Sequence, residues 1–356
     1  MDLIPDLPYD IAFQCLLRLS YNQYRTASSV CKSWNRQIRL PEFLRQRKAG
    51  CHSQKLVVMT QAKVDPNINS GFVKRLTNPV YRVSVLEVGS GLWSELPPIP
   101  GFFSSGFPLF CQVVAVGSDL VVMGGLDPVT WKVSGLVFVF DFVSATWRRG
   151  ADMPGVRRLL FGCASDGDRM VYVAGGHDDE KNALRSAMAY DVEKNEWTNL
   201  PDMTKERDEC KGVFRSGKFH VIGGYSTNAQ GRFERDAEAF DVENFQWGQV
   251  QENFLKSASC PRTCTGGDDE DLHMCHKGQV IALKGDTWQE VSKVPTEVSS
   301  VAYVTTWQGK LMVIGHARFG EPHMGYVLDL KSYEWTKIET PKEFSGHVQS
   351  GCYSEI

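Results

Sequence analysis

Short apolar runs with a period of two recur through most of the chain, as in LVFVFDF (residues 136–142) and SAMAYDV (186–192), with polar turns between them. A period of two predicts β-strands. The runs fall into units. In five of them an apolar residue is followed by an acid and then, six positions after the acid, by tryptophan: Glu87 and Trp93, Asp141 and Trp147, Asp191 and Trp197, Asp241 and Trp247, Asp329 and Trp335. Upstream, VVMGG, VYVAGG and FHVIGG end an apolar run in a glycine pair, LMVIGH keeps only Gly315, and KLVVMTQ has none. The first 48 residues follow a different rhythm. Ile11, Cys15, Leu16 and Leu19, then Ala27, Val30, Cys31, Trp34 and Ile38, recur at helical spacing.

The acid-to-tryptophan segment reads as a tight turn, because an Asp or Glu there can accept hydrogen bonds from turn amides. The tryptophan then opens the last strand of its unit as a large apolar anchor between neighbouring sheets. Trp288 marks a sixth, degenerate unit in QVIALKGDTWQEV, with CTGGDDED read as its first strand and loop and LHMCH as its second strand. The tryptophans recur about every fifty residues. The first unit holds only three strands (KLVVMTQ, VYRVSVLEV, LWSELPP), and the C-terminal HVQSGCYSEI stands where other units begin their first strand. That segment is expected to complete the first sheet and close the ring.

Units of this length with a glycine pair and a spaced tryptophan resemble kelch repeats, each of which builds one four-stranded blade of a β-propeller. The resemblance spans roughly residues 52–356 and implies a mainly β fold of six blades. Residues 1–48 are too few for an independent large core, so apolar surface is expected to remain for a partner helix. The order LP-x2-I-x3-CLLRL, VCKSW, LPEF, from Leu7 to Phe43, resembles the F-box. That resemblance implies a small α-helical module docking onto a Skp-type adaptor, and through it onto a cullin and a RING protein of a ubiquitin ligase. The residues it carries over are Leu7, Pro8, Ile11, Cys15, Leu16, Leu19, Val30, Cys31 and Trp34. Trp34 and Cys15 are expected to hold the module together, and Leu7 and Pro8 to be true contacts. An F-box joined to kelch repeats is typical of plants. Stretches such as KLVVMTQAKVD, SELPPIPGF, WRRGADMPGVRR and RDECKGVF look like one plant subfamily. Its members target phenylalanine ammonia-lyase and type-B response regulators of cytokinin signalling for degradation.

Composition narrows this picture without changing it. A net charge of −3 over 356 residues argues against a broad nucleic-acid or anionic-membrane surface. No apolar run is long enough to span a membrane, and MDLIPDLPYD is acidic where a secretion signal would be basic. Ten scattered cysteines form no repeating framework and suit free thiols in a reducing compartment, with cytoplasm and nucleus both open.

Antiparallel blades put the connections after their second and fourth strands on one face, and these are the long ones. Long loops on a rigid scaffold are where recognition usually sits. The candidate loops after second strands are Trp131-Lys132, 177–185, 225–236 and 318–323. Those after fourth strands are 102–107, Arg157-Arg158, 205–209 and Arg262. Within them Arg158, His177, Arg185, Arg207, Tyr225 and Arg262 are the expected contacts to a target protein, because arginines and aromatics favour protein interfaces. No phosphate loop, GxSxG or HExxH motif is present, so no catalytic residue or cofactor is expected. Cys260, Cys264, His273, Cys275 and His276 offer zinc-type ligands, but their spacing fits no standard finger, and no metal is expected. The function that the F-box and kelch resemblance implies is recruitment of substrate proteins to a ubiquitin ligase. The alternative is a kelch-propeller enzyme or small-ligand protein, which would need a convergent site at the central channel.

Overall fold

The computed structural model describes residues 3–64, 79–101, 106–267 and 271–356. Four short α-helices come first: Tyr9–Leu17, Tyr24–Val30, Lys32–Ile38 and Pro41–Ala49. Pro8 immediately precedes the first helix and Pro41 opens the fourth, positions where a missing amide proton costs the helix nothing. The Cys31 sulfur caps the third helix by accepting from the Trp34 amide at 3.5 Å.

The rest of the chain forms six four-stranded antiparallel sheets, the six blades of a propeller. Five are built from consecutive strands. The first combines Lys55–Ala62, Tyr81–Glu87 and Leu92–Glu95 with the last strand of the chain, Val348–Glu355, which pairs with Lys55–Ala62. In the degenerate fifth blade the inner strand is only Thr265–Gly266, followed by Leu272–His276, Gln279–Lys284 and Thr287–Lys293. Asp268, Asp269 and Glu270 of its first loop lie outside the described residues.

The repeated residues are explained by local chemistry. Asp141, Asp241 and Asp329 accept amide protons two or three residues on, at 2.7–3.1 Å, and so bind the turn to itself. The residue two before each tryptophan of these units is left-handed: Gly91, Ala145, Asn195, Phe245 and Tyr333 have φ between 51° and 71°. Four non-glycine residues hold that conformation because the acid has already fixed the turn around them. The glycine pair has a packing reason as well. Gly176 has a φ of 79°, and a Cβ there would collide with the Leu159 carbonyl of the segment entering the inner strand.

Each tryptophan fastens its blade to the one before. The indole nitrogens of Trp147, Trp197, Trp247 and Trp288 donate to the carbonyls of Pro97, Ala151, Pro201 and Phe254 at 2.6–2.8 Å, and Trp335 donates to the Ser292 hydroxyl at 3.0 Å. The apolar cores lie between consecutive blades. Val121 and Val139 of the second, for example, pack with Val171, Val173 and Tyr190 of the third. The first strands of the blades meet around a central channel.

The helices do not form a free-standing module. Leu16, Leu17, Tyr24, Ile38 and Phe43 share one buried cluster with Leu56, Val58, Phe142 and Ile356 of the propeller. So few helical residues cannot enclose a core alone, and the propeller supplies the missing wall.

Candidate functional site

Two surfaces are placed by this architecture. Within a blade the inner strand runs from the face carrying the long loops to the face carrying the tight turns. Ile356, at the end of the closing inner strand, and the Asp141 turn therefore lie on the turn face, where the helices dock. Arg47 is fully buried there and donates to the carbonyls of Leu17, Leu19, His52 and Ile356, bridging helices, linker and closing strand. Arg39 pairs with Asp141 at 3.0 Å, and the Tyr21 ring meets Phe142 edge-on at 5.7 Å. The two terminal nitrogens of the guanidinium are spread over four carbonyls from three parts of the chain, so the helical module is held in one orientation.

Away from this contact the module presents apolar side chains to solvent. Leu7 is 36% exposed, Ile11 48%, Tyr9 55% and Val30 60%. Pro8, Cys15 and Cys31 are exposed with them, which corrects the expectation that Cys15 is an internal packing residue. Leu16 is corrected in the other direction. At 1% exposure it is core and has no surface to offer a partner. Leu19 is half-buried, and Trp34 is half-buried with its indole nitrogen 2.6 Å from the Leu3 carbonyl, a bond that ties the chain start to the third helix.

On the loop face, four of the six expected contacts turn out to be internal. Arg158 donates to the carbonyls of Gly175 and Ser186 at 3.1 and 3.0 Å and to the Ser186 hydroxyl at 2.8 Å. Arg207 bonds the Gly223 carbonyl at 2.9 Å and forms ion pairs with Asp236 at 2.5 Å and Glu238 at 3.1 Å. Both side chains are 1% exposed. Each grips the carbonyl of the first glycine in its own blade's pair, so the repeat that made them look like a recognition series is architectural. His177 is buried with Nδ1 2.8 Å from Asp208 Oδ1, and Tyr225 is buried with its hydroxyl donating to Glu209 at 2.9 Å. Burial, reinforced by the Glu209 bond, pushes the Tyr225 phenol above its ordinary range, so it is a fixed neutral donor.

Arg185 and Arg262 remain accessible. Arg185 is exposed and pairs with Asp202 at 3.1 Å, while Arg262 is exposed without a hydrogen-bond or ion-pair partner among the described residues. The loops also expose Trp131 (54%) and Phe319, the latter wholly in solvent. Phe110, Val129 and Val156 join them and were missed from sequence, because nothing in their spacing separates an exposed apolar residue from a strand residue. Residues 102–105 of the candidate loop 102–107 lie outside the described residues.

The cysteine–histidine set is dispersed. Cys264 is packed in the blade core, and His276 Nε2 faces the Ser257 hydroxyl at 3.2 Å. Among the described residues no three or more His, Cys, Asp or Glu side chains are gathered in a way that could hold a metal ion.

Comparison with known proteins fits this arrangement. The F-box domain is matched over residues 4–46, and the kelch motif over residues 109–154 and 157–204. The Arabidopsis thaliana F-box/kelch-repeat proteins At1g80440 and At1g15670 are each 53% identical to the chain, over 363 and 361 residues, covering 100% of both partners in each comparison. F-box/kelch-repeat protein SKIP20 from the same plant is 36% identical over 284 residues, 70% of this chain and 66% of its own length.

Proposed function

The chain belongs to the plant F-box/kelch-repeat proteins, and we propose that it is the substrate-recognition subunit of a Skp–cullin–F-box ubiquitin ligase. The observation that carries this reading is that Leu7, Pro8, Tyr9, Ile11 and Val30 are exposed apolar side chains on a helical module fixed to the turn face. An adaptor helix laid on those side chains would bury them as a helix-in-groove contact. The loop face, on the far side of the propeller, would stay free for a target. Its accessible members are Arg185, Arg262, Trp131 and Phe319.

The chain needs no catalytic residue in this role. Holding a target close to the ligase-bound ubiquitin conjugate raises its effective concentration, and a fixed angle between the two docking surfaces preserves that geometry. On the subfamily resemblance, the targets are phenylalanine ammonia-lyase, of phenylpropanoid metabolism, and type-B response regulators of cytokinin signalling, sent to the proteasome from the cytoplasm or nucleus. No nucleic acid or membrane enters the mechanism.

The test is affinity purification of the wild-type chain beside a Leu7→Ala/Pro8→Ala variant from plant extract. The variant is expected to lose adaptor and cullin and to keep or accumulate its targets. Retained adaptor binding would refute the reading of the helical module. Absence of both named targets from the wild-type capture would refute the target assignment alone.

A further inference from the structure

The inner strands enclose a channel of about 590 Å³. Inner strands of adjacent blades pack closely at Gly162 and Gly212, where a side chain would press on the facing backbone. Part of its wall is apolar, from Val113, Phe161, Ala302 and Tyr303, and two cations, Lys211 and Arg262, stand in the same lining. Cys260, in the same lining, lies within electrostatic reach of both. Arg262 sits in the 3-10 turn Pro261–Thr263 that leads into the fifth inner strand, at the loop-face mouth.

Lys211 is the anomaly. Among the described residues the buried arginines of the propeller are paired: Arg82 with Glu95, Arg158 with carbonyls, Arg207 with Asp236 and Glu238. Lys211 is half-buried in the channel wall, yet among the described residues its amine has no hydrogen bond or ion pair. The groups around its amine are the thiols of Cys163, Cys260 and Cys264. Burial pushes Cys163 and Cys264 up to about 12, and raises Cys260 as well, so they are neutral and offer no counter-charge. Glu209 lines the channel too, but accepts from Tyr225. Burial without a partner lowers the Lys211 ammonium pKa, a cost that an arriving anion removes.

We infer that the channel is a binding site for a small organic carboxylate with an apolar body, its carboxylate held between Lys211 and Arg262 and its body against Val113, Phe161 and Tyr303. The volume falls within the range of small-molecule pockets, and an apolar wall with a few convergent polar groups is their usual make-up. A carboxylate on two cations forms the charge-assisted bonds that Lys211 lacks. Because the channel opens on the loop face, its occupant would lie under any protein bound there. The inference goes beyond the recruiting role and does not depend on it.

Benzoate is the probe, with benzamide as its uncharged counterpart, titrated calorimetrically into the full chain. Benzoate is expected to bind at one site, with benzamide and the Lys211→Met variant each weaker by about tenfold or more and Lys211→Arg close to wild type. Benzoate is also expected to slow alkylation of Cys260 by iodoacetamide several-fold in the wild type, a readout that does not require the Lys211→Met chain to fold. Absence of benzoate binding, equal binding of benzamide, an unchanged alkylation rate, or full affinity in a folded Lys211→Met chain would each overturn the inference.

Discussion

The indole nitrogen of Trp93 lies 3.1 Å from the carbonyl oxygen of Glu339, so the outer strand of the first blade is fastened to the exit of the sixth. An indole donor likewise joins each of the other consecutive blades, to a carbonyl in four cases and to the Ser292 hydroxyl in the fifth, and at Trp93 it closes the circle. A second closure lies inside it, where Val348–Glu355 pairs with Lys55–Ala62. The two are unequal. Trp93→Phe removes one donor and is expected to cost about 1 kcal/mol. Deletion of residues 348–356 strips a strand, exposes a sheet edge and removes one Arg47 acceptor, so cooperative unfolding of the whole propeller should shift down by 10 °C or more, on the order expected for several kcal/mol. Thermal melts of both variants check this. An unchanged midpoint after the deletion would show that the ring does not need its closing strand.

Arg47 is the hinge-pin of the helical module. Arg47→Met leaves four carbonyls short of a donor, and a loss of about 2–4 kcal/mol is expected at the junction. Limited proteolysis near residues 50–54 should accelerate while the propeller persists. Unchanged cleavage would mean that the apolar contact alone fixes the module.

Ile11 and Leu16 share one helix but face opposite ways. Ile11→Ala is expected to leave the melting temperature nearly unchanged and weaken adaptor binding at least tenfold, as removal of a central apolar contact does. Leu16→Ala should cost about 2–5 kcal/mol of stability as a cavity mutation. Calorimetry with purified adaptor, read beside melting curves, separates the two effects.

The loop-face arginines divide in the same way. Arg262→Ala and Arg185→Ala are expected to stay within about 0.5 kcal/mol of wild-type stability while reducing capture of the bound target. Arg207→Met leaves Asp236 and Glu238 buried with one cation fewer and should destabilise by about 3–5 kcal/mol. Urea unfolding together with target pull-down measures both. Stable folding of Arg207→Met would restore it as a recognition residue.

His323 gives the acid dependence. Burial, then the adjacent His347 and His316 rings, lower its pKa from 6.5 to about 3. Its ring contacts both, at centroid distances of 4.8 Å from His316 and 5.3 Å from His347. The folded state holds His323 neutral, so its contribution is complete above pH 6.5. It is lost as pH falls from 6.5 toward 3, by up to about 1.4 kcal/mol per pH unit. His323→Phe keeps an aromatic ring without the titration and should flatten the fall of melting temperature across that window. An unaltered profile would assign the acid sensitivity to other groups.

The blade count was legible because the tryptophan and its acid recur at fixed spacing, and a six-residue turn cannot vary much without breaking its own hydrogen bonds. The two-residue inner strand of the fifth blade shows the limit of that reading. It has no periodicity to detect; CTGGDDED reads as this strand and its loop, and the sheet restricts the strand to Thr265–Gly266. Leu7, Pro8 and Ile11 of the candidate adaptor surface were legible because motif order marks them. Leu16 and Cys15 exchanged roles, since helical spacing names a face but not which neighbour covers it. Arg158 and Arg207 misled for a similar reason. A regularly placed arginine looks the same whether it greets a partner or grips a glycine carbonyl seventeen or sixteen residues further on.

The sequence by itself determined six repeating units, a separate helical start and the family to which they belong, because these rest on local turns, strand period and motif order. Only the tertiary structure decided that the helices share the propeller's core, that Arg47 locks them to the turn face, and that Lys211 stands unpaired in the channel. Those outcomes depend on which residues meet across hundreds of positions, and burial and charge pairing are properties of that meeting.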